Sequence, residues 1–125
     1  MRKKKLHYGI VLLVILVTNI CKAQEIKPSD FLPDGFVLFE KYTGDLNNDG
    51  KEDCILIIKG TDKEKWVKNY NDEVVDRNRR GIIVLFNKGD KYVSVVENHD
   101  CFASENEEGG VYFPPELWIT IEEGN

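Results

Sequence analysis

Residues 36–59 read FVLFEKYTGDLNNDGKEDCILIIK. Two segments able to form strands flank one polar loop. Residues 36–42 are rich in aromatic and β-branched side chains, the composition of a strand. Residues 54–59 (CILIIK) form an apolar run with no alternation, which predicts a strand buried on both faces. Between them, residues 45–53 are almost entirely polar.

Further along the chain, residues 82–86 (IIVLF) predict another buried strand. Residues 87–90 (NKGD) form a tight turn, and 91–97 (KYVSVVE) return as its hairpin partner. Residues 98–110 read as a polar loop. A short strand at 111–113 is stopped by Pro114 and Pro115. Residues 117–122 (LWITIE) alternate, with Leu117, Ile119 and Ile121 on one face. Residues 24–35 hold Pro28, Pro33 and a Pro-Asp-Gly turn, and read as an extended lead-in. The longest polar stretch is 60–81. There Asp62 is placed to cap a short helix carrying Trp66, Val67 and Tyr70, while Asn71, Asp72 and 76–80 read as exposed loop. The expectation is a mainly β, antiparallel, hairpin-rich sheet or sandwich with one short helical or loop insert, α+β if the insert is helical. The ending, Glu123-Gly124-Asn125, reads as the first half of a hairpin turn. Either 117–122 is a terminal strand or the chain stops short of a longer relative, and the second is favoured.

The chain has 125 residues, 42% of them apolar and 31% charged, which is one domain's worth. Its start reads as a leader: a basic head (Arg2, Lys3, Lys4, Lys5), then eight unbroken apolar residues at 10–17. That run is too short to span a bilayer and suits a secretory signal. Small side chains at Cys21 and Ala23 predict cleavage after Ala23, so 1–23 is a signal peptide and 24–125 a single exported domain, periplasmic or extracellular. An uncleaved anchor, or membrane attachment through a lipidated Cys21, is the alternative; Ile20 before Cys21 fits lipidation poorly. Of 17 basic residues five lie in the leader, and none of the 22 acids do, so the remainder carries 12 against 22 and a net charge of −10. Such a charge argues against nucleic acid or anionic lipid as a partner and is compatible with a cation. Cys54 and Cys101 remain after the leader. In an oxidising compartment they either pair, or Cys54 is simply a buried small hydrophobe.

The segment with chemistry in it is 45–53. Oxygen-bearing side chains fall at loop positions 1, 3, 5 and 9 (Asp45, Asn47, Asp49, Asp53), with Gly50 at position 6. Calcium takes 6–8 oxygens, and this spacing aims successive oxygens at one centre. Position 7, Lys51, would contribute only its backbone carbonyl. The loop is not an EF-hand, since position 12 is Leu56 and the flanks are strands. It resembles the calcium loop D-x-D/N-x-D-G-x-x-D that joins two strands in FG-GAP and VCBS-type repeats. That resemblance implies Asp45, Asn47, Asp49 and Asp53 as side-chain ligands of Ca²⁺, Lys51 as a backbone one, and a weak affinity of about 10⁻⁴–10⁻³ M. It spans a small fraction of the chain and implies no propeller. The competing reading is an Asx- and Gly-rich turn held by side-chain to backbone bonds.

Weaker features compete with bland alternatives. His99 beside Cys101 could form a nucleophilic pair, but close neighbours along a strand seldom face each other. Glu105, Glu107 and Glu108 could supply a glycosidase-like dyad, or a solvated acidic loop. Trp66, Trp118, Tyr112 and Phe113 could form an aromatic surface for a partner or sugar, or pack in the core. Arg77, Arg79 and Arg80 could bind an anion, or form a solvated, locally paired face. The function read from these residues is a non-catalytic exported envelope protein with one structural calcium loop. Its rivals are a protein-binding module, such as an inhibitor of an exported enzyme, and a hydrolase.

Overall fold

A computed structural model of the chain describes residues 25–107 and 119–122. It is mainly β: strands β1 (Phe36–Gly44), β2 (Asp53–Gly60), β3 (Trp66–Lys68), β4 (Val74–Asp76), β5 (Arg80–Asn87) and β6 (Tyr92–Phe102). The only helical elements among the described residues are single 3-10 turns at Pro28–Phe31 and Lys63–Lys65. None of them is long and apolar enough to cross a membrane. Strands β1, β2, β5 and β6 form one antiparallel sheet in that spatial order, and β3–β4 form a separate hairpin inserted between β2 and β5.

The unbroken apolar run of β2 places it centrally. Residues Asp53 to Ile58 are all buried. Cys54, Leu56 and Ile58 share one face with Ile83 and Leu85 of β5, and this cluster forms the core, with Phe31, Leu32, Phe36 and Tyr92 packed against it. The Pro-Asp-Gly turn closes as expected, Phe36 N–H donating to Pro33 O at 3.2 Å. It brings the 3-10 turn of the lead-in back over that face.

Several expectations are corrected. No helix follows Asp62. Its carboxylate accepts the Glu64 N–H at 2.9 Å and caps only the 3-10 turn. Trp66 and Val67 lie in β3, and Tyr70 is exposed at the hairpin end. Asn69 decides this: its N–H donates to Glu73 O, and its side-chain oxygen accepts the N–H groups of Asn71 and Glu73. That network builds a turn where a helix would need continuity. Nor is 76–80 an exposed loop. Asn78 and Arg80 are buried, and Arg80 begins β5. Residues 98–102 continue β6 instead of forming a loop. Gly81 makes that possible, since a Cβ there would collide with Asn98 O and stand 2.6 Å from His99 Cα. Residues 119–122 lie in no strand, although Ile121 packs against Gly44, where a Cβ would meet its Cγ2 at 2.8 Å. The expected strand at 111–113 and the start of 117–122 lie outside the described residues.

Of the two readings left open for the cysteines, the structure carries the unpaired one. Both cysteines are free, Cys54 buried and Cys101 exposed. Cys54 pairs with Leu85, whereas Cys101 precedes Phe102, which pairs with Arg80. Five residues of strand separate those positions, about 17 Å, against a Cα span under about 7 Å for a bridge. Cys54 is a core residue, and its burial pushes the thiol pKa up.

Candidate metal centre

The 45–53 segment connects the adjacent strands β1 and β2. Asp45 follows the last residue of β1, and Asp53 is the first residue of β2. The connection coils tightly, with Asn48 at φ +58° and Gly50 at φ +80°, both in the left-handed region that Asn and Gly tolerate best.

Backbone donors aim the carboxylates. Asp45 accepts the N–H of Asp49 at 3.1 Å on Oδ1 and that of Gly50 at 2.7 Å on Oδ2. Asn47 Oδ1 shares the Asp49 N–H at 3.2 Å. Asp49 Oδ1 accepts the Lys51 N–H at 2.9 Å, and this bond holds the Asp49 carboxyl below its ordinary value. Asp53, fully buried, closes the ring. Its Oδ2 accepts the Leu46 N–H at 2.8 Å, and its Oδ1 accepts the Asn87 N–H at 2.8 Å from the end of β5.

Asp45, Asp49 and Asp53 therefore converge: one carboxylate oxygen from each lies within 4.8 Å of the other two. Each oxygen carries two lone pairs, so accepting one N–H leaves capacity for a metal. The cluster could hold a metal ion. Its donors are all oxygens, which suits hard cations better than soft ones. Lys51 stands at the rim, its Nζ 3.9 Å from Asp49 Oδ2.

Sequence reasoning missed Asn87. Besides its bond to Asp53, it donates from Nδ2 to Glu52 O at 3.2 Å and accepts the Gly89 N–H at 2.8 Å. It ties the turn between β5 and β6 to the acidic loop. In the sequence it looked like an ordinary turn former, and nothing local marks this long-range role.

The other candidates are otherwise engaged. His99 Nε2 lies 2.6 Å from Glu97 Oε1, and its ring packs on Phe36 at 4.9 Å. Cys101 Sγ is directed at Asn98 O, 3.9 Å away. Glu105 bonds Lys59 at 2.6 Å, and Glu107 accepts the Ser104 N–H at 3.0 Å. Arg79 and Arg80 donate to the carbonyls of Asp100 and Ala103, each at 3.0 Å. Trp66 is exposed, whereas Glu108, Tyr112, Phe113 and Trp118 lie outside the described residues. Comparisons with family models, with curated proteins and with solved structures find no match to this chain.

Proposed function

We propose that this is an exported envelope protein in which the 45–53 loop holds one structural calcium ion and performs no catalysis. The convergence of three aspartates at the root of the central strand carries this reading. Asp45, Asp49 and Asp53 supply carboxylate oxygens, the Asn47 amide a fourth side-chain oxygen, and Lys51 its backbone carbonyl. Calcium is favoured because an oxygen-only loop supplies much of the 6–8 oxygen shell it takes with little demand on geometry, whereas magnesium demands near-ideal octahedral geometry and keeps its waters. An ion held mainly by protein ligands braces the β1–β2 turn and leaves little room to activate water. The basic, apolar start of the sequence supports export.

An ion that binds only the folded state stabilises it by mass action. With a dissociation constant of about 10⁻⁴–10⁻³ M, calcium at 10–100 times that value contributes about 1.4–2.7 kcal/mol. In a domain of this size that raises Tm by roughly 5–20 °C. The test is thermal unfolding in excess calcium and in chelator, on the native protein and on Asp49→Ala. A shift in the native protein that the variant lacks is expected. Superimposable melting curves with calcium and with chelator overturn the proposal.

A further inference from the structure

The inserted hairpin leaves a gap beside the sheet. An open cavity of about 610 Å³ lies there, within the range of small-molecule sites, lined by Val37 of β1, Lys59 and Gly60 of β2, Lys63, Trp66 of β3 and Asp76 of β4. Along β3 the side chains alternate. Val67 turns inward, whereas Trp66, the largest apolar side chain of the hairpin, keeps 54% of its surface exposed. Gly60 contributes backbone to the wall, and a Cβ there would press on Asn78 Oδ1 at 2.9 Å.

Two polar groups of the cavity, Lys59 and Asp76, are fixed. Lys59 Nζ is held between Asp76 Oδ2 at 2.8 Å and Glu105 Oε2 at 2.6 Å. Asp76 is braced from behind by the Asn78 N–H and side-chain NH₂, at 2.9 and 2.8 Å on Oδ1. The lining carries two lysines and one carboxylate, and Glu105, outside the lining, neutralises Lys59 together with Asp76, so net charge gives no strong preference for an anion or a cation. A purely apolar occupant would strip water from the Lys59–Asp76 pair and return no hydrogen bond, which is costly. A ring with both a C–H face and hydroxyls meets both halves of the wall: the face on the indole, the hydroxyls on the fixed ion pair.

We propose that this cleft binds a neutral saccharide, a pyranose ring stacked on Trp66 and hydrogen-bonded through its hydroxyls to Lys59, Asp76 and Lys63. The reading is independent of the metal loop. Its probes are maltotriose, cellotriose and triacetylchitotriose, titrated to millimolar concentrations into ¹⁵N-labelled protein. A saturable shift of the Trp66 indole N–H resonance is expected with at least one of them. Affinity falls about tenfold in Trp66→Ala and stays within about threefold in Trp66→Tyr, which keeps an aromatic face. Trp66 is exposed, so amide spectra of both variants should keep the native dispersion. The shift in the unmodified protein is in any case a readout that needs no variant. No saturable shift with any of these sugars overturns the proposal. So does binding that Trp66→Ala leaves unchanged, or a response to p-cresol with none to sugar.

Discussion

Replacing Asp53 by Asn separates the two jobs this residue holds. The side chain is fully buried and accepts two backbone N–H groups, from Leu46 and Asn87, both at 2.8 Å. The amide keeps one acceptor oxygen and turns an NH₂ toward the other N–H. A hydrogen bond to a charged acceptor contributes about 1.5–3 kcal/mol, and a buried donor left unsatisfied costs about 1–3 kcal/mol. Asp53→Asn should therefore lose about 2 kcal/mol in chelator, where no metal contributes, and Asp53→Ala about 3–4 kcal/mol. Asp49→Asn should be milder in chelator. Its carboxylate sits in the exposed part of the loop, and the Lys51 N–H holds it below its ordinary value, so neutralising it weakens that bond but leaves no buried donor unsatisfied. Without metal this variant should be less destabilised than Asp53→Asn, and calcium should stabilise it less than it does the native protein. Urea unfolding with far-UV circular dichroism, in chelator and in excess calcium, reads all of these. The reasoning is refuted if Asp53→Asn matches the native protein in chelator, or if Asp49→Asn is the more damaging of the two there.

Other outcomes follow from the packing. Gly81→Ala would drive a Cβ into the backbone of Asn98 and His99, so it should cost about 2–3 kcal/mol in urea unfolding and increase amide exchange along β6. Thiol titration should find Cys101 reactive in the folded protein and Cys54 reactive only after denaturation. Lys59→Met should destabilise by about 1–2 kcal/mol, between the values for surface and buried pairs, and its pH window can be stated. Burial works against both charged groups, but the bonds joining them outweigh it, holding Asp76 below its ordinary 3.8 and Lys59 above its ordinary 10.5. The pair's contribution is thus full between about pH 4 and 10.5. It fades as acid protonates Asp76 below that range and as base deprotonates Lys59 above it. Urea midpoints of native and variant protein should converge at both extremes and differ most in between.

The long strands were legible because their signal is local. An apolar run such as CILIIK can be buried only where both faces are covered, which forces β2 inside, and the turn at 87–90 joins two segments of matching character. The hairpin of β3 and β4 was not legible, because Asp62 with Trp66, Val67 and Tyr70 imitates a capped amphipathic helix. Only the three-way bonding of Asn69 reveals a turn, and that is a property of geometry. Arg80 misled for a related reason. Charge predicts exposure, yet its guanidinium lies 5.1 Å over the Phe39 ring and its Nε donates to a carbonyl, so burial leaves it well partnered. The acidic loop was readable at short range, where position dictates which oxygens can meet. Its anchorage on Asn87 was not, since that bond joins residues 34 apart.

That anchorage bears on how the loop would use an ion. Three carboxylates within 4.8 Å repel one another, and a flexible loop would relieve this by letting them swing into solvent. Here five loop-directed N–H groups, those of Leu46, Asp49, Gly50, Lys51 and Asn87, hold them inward. These bonds offset part of the repulsion between the gathered carboxylates, and a cation at their centre would offset more of it. Because Asp53 also carries the Asn87 bond, tightening the loop pulls on the β2–β5 pairing at the centre of the sheet. A cation there should accordingly protect amides of β2 and β5 from exchange more than those of the β3–β4 hairpin, which follows the opposite end of β2 from Asp53. Uniform protection, or protection confined to 45–52, would show that Asp53 does not transmit the binding energy into the sheet.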